Sequence, residues 1–279
     1  MLKHLIVLAS VAAATAPACA LGTGDLAFTS FNADEDGFSV MTFVDIAAGT
    51  KVFFTDNAFV GGAFNTGESY ASWTSGAAQV GAGTVIRFSQ VDVATLSASV
   101  GTLAREPVSG STNWGLSTAA DSVYAYLRNS ATAPTTFLAA ITNSSFNTTD
   151  GALAGTGLVE GTTAMRLRTT GSPDYGVYSG VRSGLGSFAG YKPLDANVAN
   201  WNVDTTDGNY TTTVPDTTAF SITAVPEPGS YALMLAGLAG ALPMLPAAAP
   251  AACCPCVLSA GPEDVHPASA ASRPWRCKP

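Results

Sequence analysis

Apolar and β-branched residues occur in short runs between residues 21 and 224, and Gly, Asn or Asp interrupts each run. Polar and apolar positions alternate from Ser122 to Leu127 and from Thr84 to Phe88. This period of two is typical of half-buried antiparallel strands. Turn signals such as Asp36-Gly37 separate the runs. The patterns predict strands over Asp25–Phe31, Phe38–Ile46, Lys51–Thr55, Thr84–Ser89, Ser122–Leu127, Phe137–Ile141 and Ala164–Arg168.

Helical signals are few in the same region. Short helices are predicted only over Val93–Leu103 and Leu194–Trp201, and no strand–helix–strand rhythm is present. We find no internal repeat and no linker that would divide the region. The sequence therefore predicts an all-β fold in which residues 21–224 form a single β-sandwich.

Residues 1–20 have the three parts of a secretory signal peptide. A basic start precedes an apolar run from Leu5 to Ala16, and Ala18 and Ala20 place small residues at the −3 and −1 positions of a cleavage site after Ala20. A lipoprotein signal at Cys19 is disfavoured because Ala stands where Leu is preferred. A buried N-terminal helix is disfavoured because the run has no polar face. The sequence predicts that the mature chain is exported.

Charge and reactive side chains restrict the chemistry. The chain has 12 Lys and Arg against 20 Asp and Glu, a net charge of −8, which argues against nucleic acid or an anionic membrane surface as a partner. Residues 21–250 contain neither His nor Cys. This inventory excludes a Ser-His-Asp triad, a Cys nucleophile and a His-ligated zinc from that region. Carboxylate, hydroxyl, Arg, Lys and calcium chemistry remain, and no catalytic residue is assigned.

A motif bounded by prolines follows the predicted sandwich, and an apolar, helix-permissive run from Tyr231 to Leu242 comes after it. The motif consists of Val225, Pro226, Glu227 and Pro228. Residues 225–242 resemble the PEP-CTERM sorting signal of Gram-negative bacteria that export exopolysaccharide. The resemblance implies an exosortase-type sorting enzyme as a partner, transient anchoring in the inner membrane by a short apolar helix, and delivery to the cell surface or the extracellular matrix.

Residues 243–279 depart from that family, whose members end in an Arg-rich cluster after the helix. This tail is rich in Pro and Ala and contains four of the five Cys. In one interpretation Cys253, Cys254 and Cys256 form a metal or disulfide site, although no second pair has zinc-like spacing. In the favoured interpretation the tail is disordered or translated out of frame, because a frame shift in a GC-rich gene yields this composition.

A second resemblance covers residues 24–141. Its segments occur in the order Ala47–Asn57, Trp73, Ala82–Ile86, Gly115–Ser117 and Asp121–Tyr126. In this order they are similar to the lamin-tail-like immunoglobulin-fold modules of secreted bacterial proteins. Such modules are accessory or binding units of surface proteins and bring no catalytic residues, so the resemblance implies a fold without implying a site.

Oxygen-bearing side chains at alternate positions make the first predicted hairpin a candidate cation site. The candidate ligands are Asn32, Asp34 and Asp36. With Gly37 they match the first half of a calcium loop, but the twelfth position, which needs a bidentate Glu, is Phe43. The loop is therefore not an EF-hand. Two interpretations remain. The loop forms a looser Ca²⁺ site that distant carboxylates such as Asp56 or Asp45 complete, or it is an acidic hairpin turn that faces solvent.

Two further patterns bear on function. Glu68 lies near Tyr70 and Trp73, and a sugar-binding cleft could use aromatic faces next to a carboxylate, although Trp73 could equally belong to the core of a strand. Thr-rich strings between residues 205 and 218 favour an extended stalk that holds the domain off the surface, with an edge strand as the alternative.

The export signals and the acidic, cysteine-free body predict a cell-surface or extracellular-matrix protein with a structural or adhesive role in exopolysaccharide or biofilm. Exopolysaccharide is the expected ligand, and no cofactor is expected apart from the Ca²⁺ considered above. The second hypothesis is a secreted, carboxylate-dependent polysaccharide hydrolase that uses Glu68.

Overall fold

The computed structural model describes residues 20–111, 115–130, 132–168, 170–204 and 208–223. Strands dominate these residues, so the predicted all-β class is confirmed. The strands are β1 (Leu26–Asn32), β2 (Gly37–Thr42), β3 (Lys51–Thr55), β4 (Phe59–Val60), β5 (Ala63–Phe64), β6 (Tyr70–Thr74), β7 (Val85–Ser89), β8 (Ser97–Ala98), β9 (Thr102–Arg105), β10 (Ser122–Ser130), β11 (Ala133–Thr142), β12 (Ala164–Arg166), β13 (Tyr175–Tyr178) and β14 (Trp201–Val203).

The strands form two six-stranded sheets and one hairpin. The first sheet has the order β14-β13-β1-β2-β7-β8, the second has the order β12-β11-β10-β3-β6-β9, and β4 pairs with β5. Neighbouring strands are antiparallel except β11 and β12, which are parallel. In the second sheet β3 lies between β10 and β6, so three segments that are distant in sequence become neighbours.

The two sheets share one hydrophobic core. Phe38 and Phe88 belong to the first sheet and Phe54 to the second, yet the ring centroid of Phe54 lies 5.1 Å from that of Phe38 and 4.9 Å from that of Phe88. Trp73 of the second sheet is 1% exposed and meets Phe88 edge-on at 6.3 Å. Removal of these large rings from water between the two layers is a major source of stability.

A second apolar cluster covers the outer face of the second sheet. Tyr124 and Tyr126 of β10 and Phe137 of β11 belong to it. The β4–β5 hairpin packs on them through Phe59, whose ring centroid lies 4.8 Å from that of Phe137, and Phe64, which lies 5.2 Å from Tyr126. Strand β10 is therefore buried on both faces, which explains its high content of large apolar and aromatic residues.

Most of the predicted strands are present, some with different ends. The strand predicted over Lys51–Thr55 is confirmed at both ends, and the one predicted over Thr84–Ser89 begins at Val85. The strand predicted over Phe38–Ile46 ends at Thr42. The strand ends there because a local hydrogen bond bends the chain. Thr42 Oγ1 donates to the carbonyl oxygen of Val44 at 2.6 Å.

The helix predicted over Val93–Leu103 is wrong. Strand β8 pairs with β7 of the first sheet and β9 pairs with β6 of the second, so this segment passes from one sheet to the other. Gly101 lies between the two strands with a φ of 74°, a left-handed conformation that glycine adopts without steric cost.

The helix predicted over Leu194–Trp201 is correct only near its start. The α-helix α1 covers Lys192–Asp195, and 3-10 turns over Phe188–Tyr191 and Val198–Asn200 flank it. Trp201 instead begins β14, where its indole N–H donates to the carbonyl oxygen of Asp195 at 2.7 Å. In the described parts of the chain no helix is long and apolar enough to cross a membrane.

The stalk prediction is wrong for residues 208–218, because this segment packs on the domain. Tyr210 stacks on Tyr175 with ring centroids 4.8 Å apart, and its amide donates to Asp34 Oδ2 at 2.7 Å. Farther along, Phe220 is 3% exposed and packs against Tyr178. The segment is thus part of the folded domain, while residues 205–207 lie outside the described residues.

Candidate functional site

The three candidate calcium ligands each hold a backbone segment in place. Asn32 Nδ2 donates to the carbonyl oxygen of Tyr210 at 3.0 Å, and Asp34 Oδ2 accepts from the amide of the same residue. Asp36 Oδ1 accepts from the amide of Leu116 at 2.6 Å. Within the described residues, no three acidic, His or Cys side chains are grouped closely enough to hold a metal ion. Calcium binding by this loop stays a prediction.

The aromatic pair beside Glu68 does not form a sugar-stacking surface. Tyr70 is 2% exposed and Trp73 is 1% exposed, so neither ring offers a face to a ligand. Glu68 is half-buried, and burial raises its pKa above the ordinary value. The strand alternative considered for Trp73 is therefore the correct one.

The residues of the export signals lie mostly outside the described residues. Ala20 is described and exposed, and the adjacent Leu21 is 6% exposed and belongs to the main core. The residue that follows the predicted cleavage site is therefore part of the core. The predicted features that lie outside the described residues are Ala18, Val225, Pro226, Glu227, Pro228, the apolar helix and the tail over 243–279.

Three acidic side chains come together at one end of the second sheet. Asp56 directly follows β3, Asp121 directly precedes β10, and Glu68 lies shortly before β6. Because β3 pairs with both β10 and β6 in antiparallel fashion, these three strand ends lie side by side. We call Asp56, Glu68 and Asp121 the acidic cluster.

Asp56 is the most deeply buried member of the acidic cluster. The residue is 2% exposed, and neither carboxylate oxygen has a hydrogen-bond partner among the described residues. Burial raises the pKa of Asp56 well above its ordinary value, and the negative charges of Asp121 and Glu68 raise it further. An ionised carboxylate without a partner costs several kcal/mol in such a place. The arrangement therefore favours a neutral, proton-bearing Asp56.

Asp121 is also buried, but hydrogen bonds satisfy its oxygens. Oδ2 accepts from the amide of Ser117 at 2.8 Å, and Oδ1 accepts from the amide of Ser122 at 2.7 Å. Asn143 Oδ1 accepts from the amide of Asp121 at 2.8 Å and thereby joins β11 to this turn. Burial raises the pKa of Asp121 to about 7 despite these bonds. Asp121 holds the turn before β10, and its charge adds to the cost of ionising Asp56.

Replacement of Asp56 by Asn is expected to make the stability of the protein less dependent on pH. The pKa of Asp56 is higher in the folded chain than in the unfolded chain, so the folded state holds the proton more tightly. Its stabilising effect is complete below the unfolded pKa of about 3.9 and is lost as pH rises through the folded pKa. The variant keeps the shape of the side chain without that loss.

The measurement is the free energy of unfolding in urea from pH 4 to pH 9 for both proteins. Relative to the native chain, Asp56→Asn should gain stability as the pH rises. A difference that stays constant across this range would contradict the account.

A surface groove of about 470 Å³ lies beside the second apolar cluster. The β4–β5 hairpin forms one wall through Ala63, and the start of β11 forms another. Its polar groups are threonine hydroxyls, and no charged side chain lines it among the described residues. The lining includes Thr23, Thr132, Thr135, Thr136 and Thr156, with Phe59 and Phe137. Both rings are buried beneath the groove, so its accessible chemistry is that of uncharged hydroxyl donors and acceptors, which fits a neutral, polyhydroxylated ligand.

Neither the groove nor the acidic cluster is evident from the sequence. The sequence suggests Asp56 only as a distant calcium ligand and Glu68 only as a catalytic acid, with no link between them. The sequence does indicate the position of Asp56. A residue directly after the strand predicted over Lys51–Thr55 lies at the end of that strand, where the sheet meets its loops. The threonines at 132, 135 and 136 precede the strand predicted over Phe137–Ile141, and no sequence pattern connects them with a groove.

Comparison with known proteins identifies no relative: no protein-family model, no curated protein and no solved structure matches this chain.

Proposed function

We propose that the chain is an exported cell-surface or extracellular-matrix protein that binds exopolysaccharide and has a structural or adhesive role. The signal-peptide pattern and the resemblance to a PEP-CTERM signal support export through an exosortase-type enzyme. Leu21 directly follows the predicted cleavage site and is buried in the main core, which agrees with a folded domain on the exported side of that site.

The observation that carries the binding role is the threonine-lined groove. A neutral polysaccharide offers hydroxyl groups that exchange hydrogen bonds with threonine side chains. Thr135 is exposed and Thr136 is half-buried, so these hydroxyls lie within reach of a ligand. A volume of about 470 Å³ is enough for a few sugar units of a longer chain.

We further propose that the two layers form an immunoglobulin-like sandwich of the lamin-tail type. Support comes from the shared core of two mainly antiparallel sheets and from the buried Trp73 at the centre of the resembling segments. Accessory and binding modules of surface proteins use this fold, which agrees with the proposed role.

The test is retention of the purified chain on immobilised neutral exopolysaccharide. Ala63 is exposed on β5 and lines the groove, so Ala63→Trp should fill the groove and lower retention by about tenfold or more. The matched control is Ala104→Trp, which places the same side chain at an exposed position of β9, outside the groove. Equal retention of both variants and the native chain would contradict a binding role for the groove.

A further inference from the structure

Three motifs in the domain have the form of an acceptor for N-linked sugars, Asn-X-Ser or Asn-X-Thr. They are Asn143-Ser144-Ser145, Asn147-Thr148-Thr149 and Asn209-Tyr210-Thr211. In such a motif the side-chain amide nitrogen of the Asn receives the sugar, so the Asn has to be exposed and its nitrogen free of other hydrogen bonds. The structure distinguishes the three motifs by these two requirements.

Asn143 fails both requirements. The residue is 0% exposed. Its Oδ1 accepts from the amide of Asp121 at 2.8 Å, and its Nδ2 donates to the carbonyl oxygen of Ser117 at 2.9 Å. These bonds hold the turn before β10 against the end of β11. Asn143 therefore has a structural role, and its amide nitrogen is not free to react.

Asn147 is half-buried, and hydrogen bonds engage its amide nitrogen as well. Nδ2 donates to Asp150 Oδ2 and to Ser145 Oγ, each at 2.8 Å. Oδ1 accepts from the amides of Thr149 at 2.6 Å and Asp150 at 2.9 Å. A sugar on Nδ2 would remove one of the two N–H donors that this network uses. The side chain of Asn147 thus organises its own loop.

Asn209 meets both requirements. The residue is exposed in an irregular segment, and Thr211, at the third position of the motif, is exposed as well. Asn209 Oδ1 accepts from the amide of Thr211 at 3.2 Å, which bends the motif and brings its two ends together. In the described part of the chain, Asn209 Nδ2 makes no hydrogen bond. The reactive nitrogen therefore lies free at the surface.

The residue between them, Tyr210, anchors this motif to the domain. Its ring stacks on Tyr175, and its amide and carbonyl groups are bonded to the side chains of Asp34 and Asn32. The ring is held on the domain, whereas the residues on either side remain exposed. An enzyme can therefore reach Asn209 without disruption of the core.

We infer that Asn209 is a site of N-linked glycosylation and that the sugar donor is an oligosaccharide carried on a lipid diphosphate. In the transfer step Nδ2 of Asn209 attacks the anomeric carbon of the first sugar. The C–N bond forms as the bond between that carbon and the diphosphate oxygen breaks, and the proton lost from Nδ2 passes to the departing lipid diphosphate. A glycosyltransferase of the producing cell catalyses the step. The inference rests on the export in the proposed function, because such acceptors lie in secreted proteins.

The test is peptide mass spectrometry of the chain isolated from the cells that produce it, with each variant expressed in the same cells. In the native chain a sugar mass is expected on Asn209 and not on Asn143 or Asn147. Asn209→Gln and Thr211→Ala should remove this mass, whereas Thr211→Ser keeps the motif and should retain it. The matched control is Thr212→Ala, which replaces the adjacent exposed threonine outside the motif and should leave the sugar mass unchanged.

The outcomes separate this site from the proposed function. An exported chain with an unmodified Asn209 would overturn the inference and leave export standing. Equal modification of the other two motifs, a sugar mass that Thr211→Ala retains, or sugars only on threonine hydroxyls would also overturn it. A chain that stays inside the cells with an uncleaved N-terminus would reject export and this inference together. A glycosylated chain that exopolysaccharide does not retain would support Asn209 as the site and reject the binding role.

Discussion

Replacement of Trp73 by Ala is expected to lower the free energy of unfolding by about 3–5 kcal/mol, the range for removal of a large aromatic side chain from a core. Trp73 is 1% exposed in the second sheet, and its ring meets Phe88 of the first sheet. Its indole N–H also donates to the carbonyl oxygen of Val100 at 2.6 Å. The substitution therefore leaves a cavity between the layers and an unpaired carbonyl.

Denaturant unfolding of the native chain and two variants checks this expectation. Trp73→Phe keeps an aromatic ring in the core but not the indole hydrogen bond, so its loss should be clearly smaller than that of Trp73→Ala. A loss below about 1 kcal/mol for Trp73→Ala, the size of a tolerated surface change, would show that the two sheets do not depend on this contact.

Replacement of Phe220 by Ala is expected to have an effect of similar size, about 3–5 kcal/mol. Phe220 is 3% exposed, although it lies in an irregular segment close to the end of the described residues. Its ring centroid lies 5.1 Å from that of Tyr191 and 5.5 Å from that of Tyr178. The guanidinium of Arg182 lies 4.8 Å from the same ring. This side chain fixes the irregular segment over residues 208–223 to the rest of the domain.

The matched control for Phe220 is Val214→Ala, in the same segment but at a position that is 66% exposed. Its stability should stay within about 0.5 kcal/mol of the native value. An extended stalk would make the two substitutions equally harmless, so thermal and urea unfolding of the pair distinguish the packed segment from the stalk that the threonine content suggested.

Strands with clear alternation or a compact apolar run could be predicted from the sequence, because their pattern reflects burial on one or both faces of a sheet. Ser122–Leu127 is an example of alternation and Lys51–Thr55 of an apolar run, and both lie within observed strands. The short strands at the sheet edges could not be predicted in this way. Tyr175–Tyr178 and Trp201–Val203 have few residues, and their positions depend on partners that are distant in sequence.

The wrong helix over Val93–Leu103 has a specific physical cause. Apolar residues Val93, Leu96, Val100 and Leu103 recur at intervals that fit one face of a helix. In the structure the segment instead contains two short strands with a turn at Gly101 between them, and Leu96, Val100 and Leu103 reach the core from this extended path. Pairing with existing strand edges overrides the local spacing.

The candidate sites were less predictable than the fold. The acidic cluster depends on the order β10-β3-β6, in which sheet neighbours are not neighbours in sequence. The groove depends on how the β4–β5 hairpin packs near the start of β11, and these segments are distant in sequence. Individual strands can be inferred from alternation, whereas a site between two elements requires their packing.

We propose that this protein binds exopolysaccharide without cleaving it. The decisive experiment follows retention of the purified chain on exopolysaccharide together with the release of reducing ends, for the native chain and for Glu68→Gln. Both proteins should be retained equally, and neither should release reducing ends. Release of reducing ends by the native chain, and its loss in Glu68→Gln, would contradict the account and establish a carboxylate-dependent hydrolase.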